Sequence, residues 1–118
     1  MPALVKVHPT ALAAKEAFHK EVVGEVAAAV EKEAVVVVGM AWNPFCKKAV
    51  RLLTDKGVAH RYLEYGNYLS GWKPRLAIKM WSGWPTFPQV FVRGALVGGF
   101  TDLERLANSG ELDRLVKG

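Results

Sequence analysis

Val35 to Val38 is an apolar run without alternation, which predicts a strand buried on both faces and ended by Gly39. Upstream, Thr10 to Glu33 is rich in Ala, Glu, Lys and Val, and Phe18, Val22, Val26 and Val30 recur every four residues, so a helix covering the sheet is expected, with Gly24 dividing it. Downstream, Asn43-Pro44 combines a preferred N-cap with a preferred first helical residue. A second helix is therefore predicted over Pro44 to Lys56, with Ala49, Val50, Leu52 and Leu53 inward and Gly57 as its stop.

Val58 to Glu64 reads as a second strand, and Tyr65 to Lys73 as a loop carrying Tyr68 and Trp72. Pro74 suits the first turn of a third helix over 73–81, where Leu76/Met80 and Ala77/Trp81 pair at a spacing of four. Gln89 to Arg93 and Ala95 to Gly98 form a hairpin turning at Gly94. Thr101 and Glu104 have capping-box spacing for a further helix, and a last turn or two is expected around Leu112 and Leu115. The order helix, strand, helix, strand, helix, hairpin, helix predicts an α/β fold with a central mixed four-stranded sheet flanked by helices in three layers. Residues 1–33 are expected to form an additional N-terminal helical segment packing on a domain of residues 34–118.

The chain of 118 residues, 51% hydrophobic and 23% charged, fits one globular domain. No apolar run is long enough to cross a bilayer and no secretion signal opens the chain, so a cytoplasmic protein is expected. Its charge of +5 is uneven: residues 35–118 hold 12 Lys plus Arg against six Asp plus Glu. An anionic ligand suits that surplus. Nucleic acid is a minor alternative, because the cations are scattered rather than blocked. His8 and His19 lack partners at metal-ligand spacing, and no metal site is expected.

Cys46 is the single cysteine, so any disulfide joins another molecule. It falls where the second helix starts. Free N–H groups and the positive helix end favour a thiolate there, and Lys47, Lys48 and Arg51 add positive charge. The alternative is a small buried hydrophobe beside an ordinary helix cap.

NPFCKKAVRLL after a buried strand resembles the active-site helix of glutaredoxins, and WPTFPQVFVRGALVGG followed by SGEL resembles the second half of monothiol glutaredoxins. The resemblance covers about residues 34–116 and implies a thioredoxin-like fold. It also implies glutathione, or a glutathionylated protein thiol, as ligand and partner. By that resemblance Lys79 meets a glutathione carboxylate, Thr86, Phe87 and Pro88 form the cis-proline segment that pairs with the peptide-like ligand, and Gly98, Gly99, Thr101 and Asp102 receive its γ-glutamyl end.

Two departures stand out. The family's nucleophilic cysteine is replaced by Asn43, which neither forms a mixed disulfide nor ligates iron, so an iron–sulfur cluster is not expected. Met40 replaces a lysine that would contact the ligand. Cys46, with Asn43 capping and polarising its helix, is then the candidate redox thiol for glutathione-linked thiol–disulfide exchange or electron transfer. The alternative is a binding module that keeps the groove and has lost catalysis. A monomer or weak dimer is expected.

Overall fold

The computed structural model describes residues 9–118, with side chains from residue 20 onward. The readings for His8, Phe18 and His19 therefore lie outside the described positions. The elements are α1 (Pro9–Lys32), β1 (Val35–Gly39), α2 (Pro44–Asp55), β2 (Arg61–Glu64), α3 (Trp72–Ser82), β3 (Gln89–Val92), β4 (Ala95–Gly98), α4 (Phe100–Ser109) and α5 (Glu111–Lys117). The strands form one sheet in the order β2-β1-β3-β4. β1 runs parallel to β2 and antiparallel to β3, and β3 pairs antiparallel with β4.

The valine run sits at the centre because it has no polar side. Val36 and Val38 face one way and join Val22, Val26, Ala29 and Val30 of α1 and Ile78 of α3. Val35 and Val37 face the other way and meet Ala49 and Leu53 of α2, Leu103 and Ala107 of α4 and Leu112 of α5. Strand alternation thus divides four adjacent valines between two cores, giving helix, sheet and helix layers. Each fully buried valine contributes roughly 1.5–3 kcal/mol of apolar transfer energy.

Several boundaries differ from the sequence reading, each for a local reason. α1 passes through Gly24 unbroken: a side chain there would meet nothing within 4 Å, so the glycine costs only its helix propensity, about 1 kcal/mol. β2 is shorter than expected, because the Val58 N–H donates to the Leu53 carbonyl (2.9 Å) and closes the end of α2 instead of joining the sheet. α4 begins at Phe100 with Gly99 as N-cap, and its N3 acid is Asp102 rather than Glu104. The Asp102 Oδ2 accepts the Gly99 N–H at 3.0 Å, so only the backward half of the capping box read from Thr101 and Glu104 is made, two residues earlier, because Gly99 has no side chain to return the bond.

Ile78 is fully buried where α1, α3 and the sheet meet, whereas Leu115 on α5 is exposed. Ile78→Ala is expected to lower unfolding free energy by about 2–5 kcal/mol. Leu115→Ala is expected to change it by about 0.5 kcal/mol or less. Urea denaturation of the two variants checks the contrast.

Candidate functional site

The end of β1 and the start of α2 meet at close range. A side chain at Gly39 would lie 2.8 Å from the Cys46 Sγ and 2.8 Å from the Tyr62 hydroxyl, so only glycine allows this approach. The Tyr65 N–H donates to the Gly39 carbonyl (2.9 Å), and the Ala41 N–H to the Gly66 carbonyl (2.8 Å), so the two loops leaving the sheet are held side by side. Trp42 follows in the left-handed region, φ 65°, with its side chain exposed.

Asn43 caps α2. Its Oδ1 accepts the Phe45 N–H at 2.9 Å and the Cys46 N–H at 3.0 Å, while its Nδ2 donates to the Tyr68 hydroxyl at 3.2 Å. The capping role read from the sequence is therefore present, and it changes the chemistry of Cys46. The N–H groups expected to favour a thiolate already have an acceptor. Cys46 is 1% exposed, and burial pushes its thiol up from the ordinary range; the Glu64 carboxylate adds to this, against a lowering hydrogen bond from the Met40 backbone.

The expected lowering by the helix end and by Lys47, Lys48 and Arg51 is thus corrected. A helix end is worth about 0.3–1 kcal/mol to a charge. Placing a charge in a buried setting costs several kcal/mol. Lys47 and Lys48 are exposed, and the Lys48 ammonium lies 5.3 Å from the Phe45 ring centroid. Desolvation wins. It also raises Tyr62, whose hydroxyl donates to the Glu64 Oε1 at 3.2 Å.

A second feature lies on the other side of the α2 start: a groove of about 360 Å³ walled by Phe45, Trp84, Thr86, Phe87, Pro88 and the residues Gly99 to Asp102. The Phe87–Pro88 peptide is cis. Gln89, fully buried, donates from Nε2 to the Trp84 carbonyl at 3.0 Å and so fixes the turn before Thr86. The Trp84 Nε1 is buried without a partner beside Gly99.

Gly98 has φ 121°, and a side chain there would run into the Asp102 carboxylate, so this glycine lets the carboxylate fold back over the strand end. The first-turn N–H groups of α4 lack helical acceptors. Lys79 of α3 reaches the groove's edge, its ammonium 5.7 Å from the Phe87 ring centroid.

The residues singled out in the sequence fall into two places. Thr86, Phe87, Pro88, Gly99, Thr101 and Asp102 share the groove, with Gly98 beneath and Lys79 beside it. Cys46 instead lines a separate pocket of about 310 Å³ with Met40, Tyr62 and Glu64. Sequence reasoning missed Phe45, Trp84 and Phe100 as groove walls, and Tyr68 as the partner of Asn43. Their available signal was position: an aromatic between cap and cysteine, a Trp two residues before Thr86, and a Phe after the glycine pair.

A mixed four-stranded sheet with helices on both faces and a site at the end of β1 defines a thioredoxin-like α/β fold. The sequence model of the glutaredoxin family matches residues 35–97, and the chain belongs to that family. It is 48% identical over 95 residues to a glutaredoxin-like protein of Dictyostelium discoideum, covering 80% of this chain and 77% of that one. It is 37% identical over 92 residues to the mitochondrial monothiol glutaredoxin-5 of Schizosaccharomyces pombe, covering 73% of this chain and 63% of the relative. A crystal structure of a buckwheat glutaredoxin–glutathione complex superposes with a TM-score of 0.76 at 22% identity, covering 86% of this chain and 93% of that one.

Two outcomes follow from the Cys46 environment. The folded chain is expected to react with iodoacetamide near neutral pH at least about tenfold more slowly than a free cysteine, a difference that urea removes. Because the folded thiol holds its proton more tightly than the unfolded one, its contribution to stability is intact below the ordinary thiol range. That contribution is lost as pH rises through the raised folded value, and Tyr62 acts in the same direction. Thermal melts from neutral to alkaline pH are expected to fall more steeply for wild type than for Cys46→Ala.

Proposed function

We propose that the chain is a glutathione-recognising member of the glutaredoxin family in which the groove binds the tripeptide, free or as a glutathionylated protein thiol, and Cys46 stays out of thiol–disulfide exchange. The observation that carries this reading is the separation of Cys46 from the groove: the thiol is buried in a different pocket, and Asn43 occupies the helix cap. In the groove, the bend at Thr86 and Phe87 leads through the cis Phe87–Pro88 bond into β3, and its backbone groups suit a peptide-like ligand. The first turn of α4 suits a carboxylate, Asp102 an ammonium, and Lys79 a second carboxylate.

The residues suit glutathione with one reservation built into the geometry. The Asp102 carboxylate already accepts the Gly99 N–H and lies 3.8 Å from Arg105, so an incoming ammonium joins an occupied acceptor. Met40 supplies no cation. Both features favour modest affinity. An iron–sulfur cluster does not suit the described residues, because a cluster needs exposed thiolates and the one cysteine is buried.

The redox reading, with Cys46 as sole thiol, draws support from its place in the first turn of α2 and from the Met40 backbone hydrogen bond. It requires the thiol to become accessible. Titration of the folded chain with reduced and then oxidised glutathione, read by amide shifts and intact mass, separates the two. The binding reading expects shifts at Phe87, Thr101 and Asp102 without a covalent adduct, and Lys79→Met to weaken binding by about fivefold or more. A glutathione adduct on Cys46 of the folded chain would establish the redox reading, and absence of any shift would remove both.

A further inference from the structure

The exposed large apolar side chains are concentrated in one part of the described molecule. Trp42, Tyr68, Leu69, Trp72, Leu76 and Met80 are all exposed, Leu69 at 85% and Met80 at 69%. Three links make them one face. The Asn43 amide bonds the Tyr68 hydroxyl, tying the Trp42 loop to the 65–71 loop. Arg75 donates to the Tyr65 carbonyl (3.0 Å) and the Ser70 carbonyl (2.7 Å), tying that loop to α3. Trp72, Leu76 and Met80 then follow at four-residue spacing along the outer side of α3, opposite the buried Ala77 and Ile78.

The charged side chains of the elements that form this face are mainly cationic: Lys47 on α2 and Lys73, Arg75 and Lys79 on α3. The nearby acids, Glu64 and Glu25, already accept from the Tyr62 and Tyr65 hydroxyls. The Lys73 ammonium lies 5.7 Å from the Trp72 ring centroid, so a cation stands over the aromatic surface itself. A solitary domain has no folding reason to display Trp, Leu and Met in one apolar stripe. Trp, Tyr and Met are, moreover, residue types that concentrate in protein interfaces.

We infer that this face docks an acidic amphipathic segment of another protein, whose apolar side chains cover Trp72, Leu76 and Met80 while its carboxylates pair with Lys47, Lys73 and Lys79. The inference goes beyond glutathione recognition and does not require the groove to be filled. A second copy of the chain is disfavoured, since it would set these cations against one another. A lipid surface would draw on the same Trp, Leu and Lys side chains, and the vesicle arm of the test separates it from a protein partner.

The test uses the full chain, 15N-labelled, and a synthetic amphipathic helical peptide with Leu and Phe on one face and Glu on the other, beside its counterpart with Lys replacing Glu. The acidic peptide is expected to bind at least about tenfold more tightly, shifting the amides of Trp42, Leu69, Trp72 and Leu76. Leu76→Asp, and separately Met80→Glu, are expected to weaken it by about tenfold or more while melting temperature and glutathione shifts stay as in wild type. Equal affinity for the two peptides overturns the inference. So does concentration-dependent dimerisation, or binding to phosphatidylglycerol vesicles, that either variant abolishes.

Discussion

The approach of the α2 start to the end of β1 is the constraint on which the rest of the site depends. Gly39 leaves room for the Cys46 sulfur and the Tyr62 ring at a distance no other residue would allow. Once that contact is made, the cysteine belongs to the core: it is shielded from water, its thiol is raised, and its N–H is held by Asn43. The same contact orients α2. Neighbouring residues on a helix point about 100° apart, so with Cys46 turned to the sheet, Phe45 turns to the groove, where its ring lies 6.3 Å from that of Phe100.

The groove is built by a different device. Its floor is a strand start held by Gln89 and a cis peptide, and its far wall is a helix start held by Asp102. Both walls present backbone groups, and backbone groups suit a peptide-like ligand without calling for a reactive side chain. On the proposed reading, the groove serves as a recognition surface while Asn43 places an amide where the resemblance puts the family's nucleophile. Asn43 contributes to the architecture instead, through one acceptor on α2 and one donor to Tyr68.

Much of the fold was legible because burial patterns repeat at the periods of helices and strands. The valine run could satisfy only a central strand, and glycine and proline marked most boundaries. Failures occurred where a local signal competed with a tertiary contact. Gly24 looked like a break but lies in an exposed helical turn with nothing to disrupt, and Thr101-Glu104 looked like a cap until the Gly98 backbone admitted the Asp102 carboxylate first. Phe45, Trp84 and Phe100 drew no reading as groove walls, since periodicity says that a ring is buried or exposed and not which cavity it walls.

By itself the sequence determined the order of elements, the three layers, the place of the lone cysteine in the first turn of a helix, and the family. Those follow from short-range spacing and from the impossibility of wetting four valines. Only the tertiary structure decided what the cysteine is. Helix-end stabilisation and desolvation act on the same thiol with opposite sign, and the larger depends on how much water the fold leaves around it. The sequence carries the helix start; the burial of Cys46 beside Met40, Val50 and Tyr62 arises only when β1, α2 and β2 are assembled.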